Sequence, residues 1–386
     1  IDRHRKADLT VTVLDAEGNA IPNAQVRVEM TRHAFWFGTA AKLWKIADFD
    51  DPQAAIYREH IEELFNHVVN ENDLKWPGWE GQWGRMSKDK ALRGLRWLKE
   101  RDFHIKGHCL IWPNWRHIPK ETRKFENDKP ALRRAIADHF ADVIGKAGPH
   151  VDEWDVINEP FSNHQVIDIL GRGAMVEWFK LADQHAPNAT LYLNDYGILA
   201  AGGATDTKHQ QHFEDTIRYL IDQEAPIDAI GLQSHFGEAV TPPTTLIEVL
   251  DRYAKFGLPM QITEFDIDTD NEALQADYTR DFMTVVFSYP RINGFVMWGF
   301  HDGNHWRDHG GMYRRDWSIK PNGKVYRDLV FRQWWTDTTE AADADGVVKV
   351  RGFLGQYRIT VTHDGKQKTV EVELPKTGAA HRVTMK

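Results

Sequence analysis

Between residues 34 and 338 the chain alternates short apolar runs with longer amphipathic stretches, and it does so eight times. The apolar runs predict strands at Phe35–Thr39, His67–Glu71, Ile105–Ile111, Glu153–Asn158, Thr190–Asn194, Ala229–Gln233, Met260–Glu264 and Gly294–Trp298. Helical periods follow at Ala54–Phe65, Lys88–Arg101, Ala131–Ile144, Met175–His185, Thr207–Asp222, Leu246–Phe256 and Ala273–Phe287. Eight β-α units in succession predict an α/β fold, a (β/α)8 TIM barrel over 34–338.

The two ends read differently. Leu9–Leu14 and Ala24–Met30 alternate with period two around a turn at Asp15-Ala-Glu-Gly18, and Gly346–Arg351, Gln356–Thr362 and Lys368–Leu374 repeat the style. Two or three strands cannot bury a core alone. The ends, 1–33 and 339–386, are therefore expected to pair into one small β-sandwich with the barrel inserted between them. The stretch Asp15 to Val28 resembles small Ig-like modules, which implies a structural or spacing role.

Composition excludes several classes. The chain has 386 residues, 27% charged and 41% apolar, and a net charge of −9, so it is neither disordered nor fibrous. No apolar run is long enough to span a membrane, and a net negative chain without basic tracts is a poor partner for nucleic acid. Its single Cys, Cys109, excludes a disulfide framework and any Cys-based zinc site. Fifteen Trp are a hint of sugar binding, because the flat apolar face and single donor of Trp suit the C–H face and hydroxyl edge of a sugar ring. Most are expected to pack the core.

In a TIM barrel the chemistry sits at the C-terminal ends of the strands. Here those ends read Asn70-Glu71-Asn72, His108-Cys-Leu-Ile-Trp112, Asn158-Glu159-Pro160, Asn194-Asp195-Tyr196, Gln233-Ser-His235, Glu264-Phe-Asp266 and Trp298-Gly-Phe-His301-Asp302. Polar residues recur where an ordinary strand would simply stop. Two Glu stand out, Glu159 and Glu264. Glycoside hydrolysis needs a carboxyl pair flanking the scissile bond, about 5–5.5 Å apart in the retaining route: one attacks the anomeric carbon while the other protonates the leaving oxygen and then activates water. The acid needs a raised pKa, by burial or a neighbouring carboxylate. His235 and Asp266 are placed to hydrogen-bond Glu264, and Asn158 to bond a sugar 2-hydroxyl.

These motifs resemble glycoside hydrolase family ten, the endo-β-1,4-xylanase family, across the whole barrel. The matching elements are Glu71-Asn72-x-x-Lys75-Trp76, Gly107-His108-x-Leu-x-Trp112, Asp155-Val-x-Asn158-Glu159, Leu193-Asn194-Asp195-Tyr196, Gly231-Leu-Gln233-Ser-His235, Ile262-Thr-Glu264-x-Asp266 and Trp298-Gly-x-x-Asp302-x-x-x-Trp306-Arg307. Gly352-Phe-Leu-Gly355-x-Tyr357 is similar to the C-terminal β extension of plant-type members. The resemblance implies that Glu159 is the acid/base and Glu264 the nucleophile, supported by His235 and Asp266. It implies that His108, Asn158, Gln233 and Trp298 floor the −1 subsite and that Glu71, Asn72 and Lys75 contact hydroxyls at −2. Trp306 then forms an aromatic lid and Tyr196 a wall near the aglycone.

One stretch departs from the family. After Trp112 the usual His-Ser-Gln is replaced by Pro113-Asn114-Trp115, which puts the sugar at −1 and −2 in question; Phe265 also replaces a Leu. Trp115, and Trp79 and Trp83 in the loop after Trp76, read as further sugar platforms. Arg307 or Lys75 is a local partner for a glucuronate branch.

The expected function is retaining hydrolysis of β-1,4-xylosidic bonds in xylan or a related plant polysaccharide. The alternatives are the same chemistry on another β-glycan or a small β-glycoside, and a non-catalytic carbohydrate-binding protein. The expected partner is a polysaccharide or oligosaccharide. No metal and no cofactor is expected, because the two carboxyls supply the chemistry. The chain starts at Ile1 rather than Met, which leaves export unread; an enzyme acting on a polymer is expected to be secreted or periplasmic. The sequence is silent on oligomeric state.

Overall fold

The computed structural model describes residues 1–386. Fifteen strands occur in chain order: β1 (Lys6–Leu14), β2 (Gln25–His33), β3 (Trp36–Ala41), β4 (His67–Asn70), β5 (His104–Ile111), β6 (Glu153–Asn158), β7 (Thr190–Asp195), β8 (Ala229–Phe236), β9 (Met260–Ile267), β10 (Ile292–Met297), β11 (Asp337–Ala341), β12 (Val347–Phe353), β13 (Gly355–His363), β14 (Lys366–Leu374) and β15 (Ala379–Thr384).

Strands β3 to β10 form the expected closed barrel, each parallel to its neighbours, with β10 pairing both β9 and β3 to complete the ring. Each of the eight expected strands is present, with no end shifted by more than three residues and Glu153–Asn158 matched at both ends. The largest extensions are at β8 and β9, which run on through His235 and Asp266. Those polar positions pair in register, Gln233 with Glu264 and His235 with Asp266, so the ladder itself holds the polar side chains side by side. All seven expected helices form. Thr207 is the cap of its helix and not its first residue: its hydroxyl accepts from Gln210 N while the Gln210 side chain accepts from Thr207 N. A helix at Pro321–Asp328, run on by a wider turn at Leu329–Gln333, closes the eighth unit after a long loop.

Both ends of the chain build two further sheets. One has the order β12-β1-β15 and the other β11-β2-β13-β14. Each N-terminal strand is thus the inner strand between C-terminal partners, which is why neither end could form a sheet by itself. Val11 and Val13 of β1, Val26 and Val28 of β2 and Ile359 and Val361 of β13 are all fully buried in one apolar core. β11 and β15 were not foreseen. β11 is an edge strand of sequence Asp-Thr-Thr-Glu-Ala, almost wholly exposed, so it carries no alternating signal. Arg5 ties this region to the barrel: its guanidinium donates to the carbonyls of Phe287, Tyr289 and Ile292 at 2.6, 2.8 and 2.7 Å.

No helix of the chain is long and apolar enough to cross a membrane.

Candidate active site

At the C-terminal mouth of the barrel lies a cavity of about 560 Å³. Glu71, Asn72, Lys75, His108, Trp112, Asn158, Glu159, Tyr196, His235, Glu264, Trp298, Trp306 and Arg307 line it, with Gly197 and Ala200. The structure therefore brings both candidate Glu residues and most of the predicted binding residues to one space, from seven of the eight strands and the loops that follow them.

Glu264 is buried on β9 and its carboxylate is held at both oxygens. Oε2 faces His235 Nε2 at 3.1 Å, and Oε1 accepts from Asn194 Nδ2 at 2.8 Å. The other ring nitrogen of His235 faces Asp266 Oδ2 at 2.9 Å, giving the carboxylate–imidazole–carboxylate chain expected from the sequence. Burial would lower the His235 pKa, but the flanking Asp266 and Glu264 outweigh it and raise it to about 9. The imidazolium so formed returns the favour. Burial pushes Glu264 up, yet the bond from His235 and the nearby charges of His108, His235 and Lys75 outweigh that push and hold Glu264 below the usual carboxylate range.

Glu159 has the opposite character. Burial and the charge of Glu264 raise its pKa to about 7, against the donor offered by Gln233. Its backbone is unusual too, at φ 54°, a left-handed conformation that costs a non-glycine residue on the order of 1–3 kcal/mol. Two backbone bonds hold it there: Glu159 N donates to Asn194 O at 2.9 Å, and Asn163 N donates to Glu159 O at 3.0 Å. Three side-chain amides then fix the carboxyl, with Asn158 and Gln233 donating to Oε1 at 3.2 and 3.1 Å and Asn163 to Oε2 at 3.1 Å. The two Glu residues thus share one network, running from Glu264 through Asn194 to Asn158 Oδ1 at 2.9 Å and on to Glu159.

A second polar group lines the same cavity. Asn72 donates to Glu71 Oε1 at 3.0 Å, and Lys75 Nζ donates to Asn72 Oδ1 at 2.9 Å while sitting over the rings of Trp112 (4.8 Å) and Trp298 (5.8 Å). His108 meets Trp298 edge-on at 5.0 Å and is paired with Asp155 Oδ2 at 2.8 Å behind it. Trp306 is 53% exposed and is anchored by Nε1 donating to Asp266 Oδ2 at 2.8 Å. Arg307 lines the cavity, but Nη1 already donates to Phe236 O at 2.7 Å and lies 3.3 Å from Asp266 Oδ1.

Residues 27–322 match the family model for glycosyl hydrolase family 10. The chain belongs to that family. Among curated proteins, this family 10 chain is 30% identical over 369 residues to an anti-sigma-I factor, RsgI6, of Acetivibrio thermocellus, and 26% identical over 370 residues to endo-1,4-beta-xylanase 1 of Arabidopsis thaliana. These alignments cover 95% and 96% of this chain but only 46% and 38% of those relatives, so it spans less than half of their length. Among solved structures, native xylanase 10B from Thermotoga maritima superposes with a TM-score of 0.68 at 23% identity, over 78% of this chain and 96% of that one. That likeness is one of fold.

Six residues expected at the site, Gln233, Asp266, Trp76, Trp115, Trp79 and Trp83, do not line the cavity of this family 10 chain. Gln233 and Asp266 stand behind it as partners of Glu159 and His235. Trp76 is buried with its ring stacked 4.3 Å from His139, so it is a packing residue and not a sugar platform. Trp115 packs on the apolar core with Arg123 5.8 Å from its ring; the chain turns away after Trp112, with Asn114 N donating to Trp112 O at 2.7 Å. Trp79 is fully buried and donates to Asp142 Oδ2 at 2.8 Å, and Trp83 lies outside the lining. The departure from the family motif therefore adds no ring to the cleft. It places His117 instead, stacked flat on Trp112 at 3.4 Å.

Sequence reading missed Asn194, Asn163 and Asn70. Asn194 stood in a matching motif but had no role assigned. Its position is made by Gly231 on the next strand: a Cβ there would lie 2.4 Å from Asn194 Oδ1. Asn70 clamps His108, accepting from its backbone N at 2.7 Å and donating to its carbonyl at 2.6 Å. Asn163 falls in a loop, where no periodicity marks it.

Proposed function

We propose that this chain is a retaining glycoside hydrolase that cleaves β-1,4-xylosidic bonds in xylan or a related plant polysaccharide. The observation that carries the reading is the division of labour between two carboxyls in one cavity, Glu159 raised to about 7 and Glu264 held below the ordinary range. An acid must arrive protonated and a nucleophile ionised, and these two environments produce that state near neutral pH.

In the first step Glu264 Oε attacks the anomeric carbon as Glu159 gives its proton to the departing glycosidic oxygen, leaving a glycosyl ester on Glu264. In the second, Glu159, now ionised, takes a proton from water, whose oxygen displaces Glu264 and restores both groups. Two inversions give net retention. The lowered pKa of Glu264 also makes it a good leaving group in the second step. Asn158 is placed for the sugar 2-hydroxyl, Trp298 and His108 for the ring at −1, and Glu71, Asn72 and Lys75 for hydroxyls beyond it. Family membership and the curated endo-1,4-beta-xylanase relatives support xylan as the substrate. The sheets formed by residues 1–33 and 339–386 serve as an accessory module, and the enzyme acts outside the cytoplasm or in a periplasm.

The test is hydrolysis of xylan, β-glucan, aryl-β-xyloside and aryl-β-glucoside by the purified chain. Cleavage of the two xylose substrates is expected. If both stay intact while the glucoside is cleaved, the chemistry stands and the substrate assignment falls. A second reading rests on the 30% identical relative, which is named an anti-sigma-I factor and not a hydrolase: a non-catalytic carbohydrate-binding protein. Tight binding of xylan with no product released would decide for it.

A further inference from the structure

The N-terminal ends of β4, β5 and β6 are as polar as their C-terminal ends, and the proposed hydrolysis uses none of these residues. His67 opens β4, His104 opens β5 and Glu153 opens β6. The register pairs His67 directly with His104, and Glu153 with Lys106 two residues further along β5. One ligand atom from each of His67, His104 and Glu153 lies within 4.8 Å of the other two. His104 Nε2 is 3.0 Å from Glu153 Oε1, and His67 Nε2 is 3.8 Å from Glu153 Oε2.

The state of His67 asks for a ligand. Its side chain is fully buried, and neither ring nitrogen has a hydrogen-bond partner. A buried imidazole ordinarily satisfies one nitrogen as donor and the other as acceptor. The protein has also made room for this ring, since a Cβ at Gly38 would come within 3.0 Å of His67 Nδ1. The other two groups are held in place from outside. Glu153 accepts from Tyr192 Oη at 3.1 Å and from Gln261 Nε2 at 3.0 Å, which leaves a lone pair on each oxygen. His104 is stacked flat on Trp36 at 4.0 Å, with its second nitrogen 3.7 Å from Asp152 Oδ2. Orientation of a ligand by a carboxylate on its far nitrogen is the usual outer support of a metal-bound histidine. Lys106 is the nearby cation: its Nζ lies 3.0 Å from Asp155 Oδ1, donates to Gln261 Oε1 at 3.1 Å and stands farther from the site's carboxylate, 3.9 Å from Glu153 Oε2.

We propose that His67, His104 and Glu153 form a three-ligand site for one divalent transition-metal ion, Zn2+ first, at the end of the barrel opposite the candidate active site. Two imidazoles and a carboxylate are the donor set of a borderline-soft ion and not of Ca2+ or Mg2+, which take oxygen. Tetrahedral ligands at roughly 2.0–2.1 Å from the metal lie roughly 3.3 Å from one another, so only small side-chain shifts are needed. The ion has a way in. His104 lines a cavity of about 600 Å³ together with Asp102, Asp152 and Glu373 and the cations Arg32 and Lys99, the last of which pairs with Asp152 at 2.8 Å. Joining three neighbouring strands at one point, the ion staples the floor of the barrel.

The test uses the untagged full chain, stripped with a chelator and titrated with Zn2+ against a chromophoric competitor, then loaded with Co2+ for visible spectroscopy. One equivalent of Zn2+ should bind per chain. The Co2+ form should show the intense bands of a four- or five-coordinate ion, and Zn2+ should raise Tm. His67→Gln and His104→Gln should each weaken binding by about tenfold or more and abolish the bands and the Tm rise. His104 lies at the accessible rim, so His104→Gln decides the matter if the buried variant does not fold. Absence of a stoichiometric site, or full binding retained in His104→Gln, overturns the proposal.

Discussion

Asn194 Nδ2 lies 2.8 Å from Oε1 of Glu264, and the same amide reaches Asn158 Oδ1 at 2.9 Å. One residue therefore couples the two carboxyl environments. A hydrogen bond to a charged group contributes about 1.5–3 kcal/mol, so Asn194→Ala should lower kcat by roughly one to two orders of magnitude. Loss of a donor to the ionised form raises a carboxyl pKa, so the acidic limb of the rate profile should move to higher pH. Gly231→Ala should act in the same direction by displacing Asn194. A kcat and acidic limb unchanged in both variants would remove Asn194 from the site.

Glu159 titrates near 7 because it is buried and because Glu264 is charged. The alkaline limb of activity should accordingly fall around that pH, and Glu264→Gln should bring the Glu159 pKa down, read by carboxyl titration in the NMR spectrum. The folded chain holds this proton more tightly than the unfolded one, whose carboxyl titrates near 4.5. The contribution of Glu159 to stability therefore declines as pH rises from 4.5 to 7. Glu159→Gln should stabilise the protein on the order of 3 kcal/mol above pH 7 and give no advantage below 4.5. Equal Tm differences at acid and alkaline pH would contradict this.

His235 carries the opposite sign. Its folded pKa of about 9 exceeds the ordinary 6.5, so its contribution to stability is complete below 6.5 and is lost as pH rises to 9. His235→Gln should flatten the stability profile over that window. It should also raise the pKa of Glu264, whose ionisation His235 supports. Denaturation midpoints measured at pH 6 and pH 9 in both proteins give the comparison.

Trp306 reaches Asp266 through Nε1 at 2.8 Å while half its surface faces solvent. Trp306→Ala removes both the ring and the bond, and Trp306→Phe removes only the bond. If the ring is a sugar lid, the alanine variant should raise KM severalfold and the phenylalanine variant much less. Equal KM in all three proteins would mean that the ring does not meet the substrate.

The barrel and its two Glu residues were legible because both leave strong one-dimensional signals. Eight alternations of period give the fold, and carboxyls at strand ends give the site. The limits have particular causes. Trp76 follows β4 and Trp112 follows β5, yet one stacks on His139 inside the core and the other lines the cavity; composition cannot tell which ring faces the cleft. Asn163 and His117 act through loops whose path no periodicity encodes. His67 and His104 stand 37 residues apart in the sequence with no motif around them, and their meeting appears only once β4 and β5 are in register.

Arg5 reveals how the two ends of the chain are joined to the barrel. Its guanidinium donates to three carbonyls at the turn before β10 and packs over Phe35 and Phe287 at 4.6 and 5.2 Å. Burial lowers its pKa only to about 10, so it stays charged at neutral pH. Lysine carries the charge but cannot span three acceptors with a fixed fork. Arg5→Ala should thus cost about 3 kcal/mol, and Arg5→Lys most of that amount. Because β1 is the inner strand of its sheet, release of Arg5 should also speed proteolysis near the first strand while the barrel end that holds Glu159 and Glu264 keeps its kcat. Thermal melts combined with limited proteolysis test this directly: an Arg5→Ala protein with wild-type Tm and wild-type cleavage would mean that the terminal sheets are held by apolar packing alone.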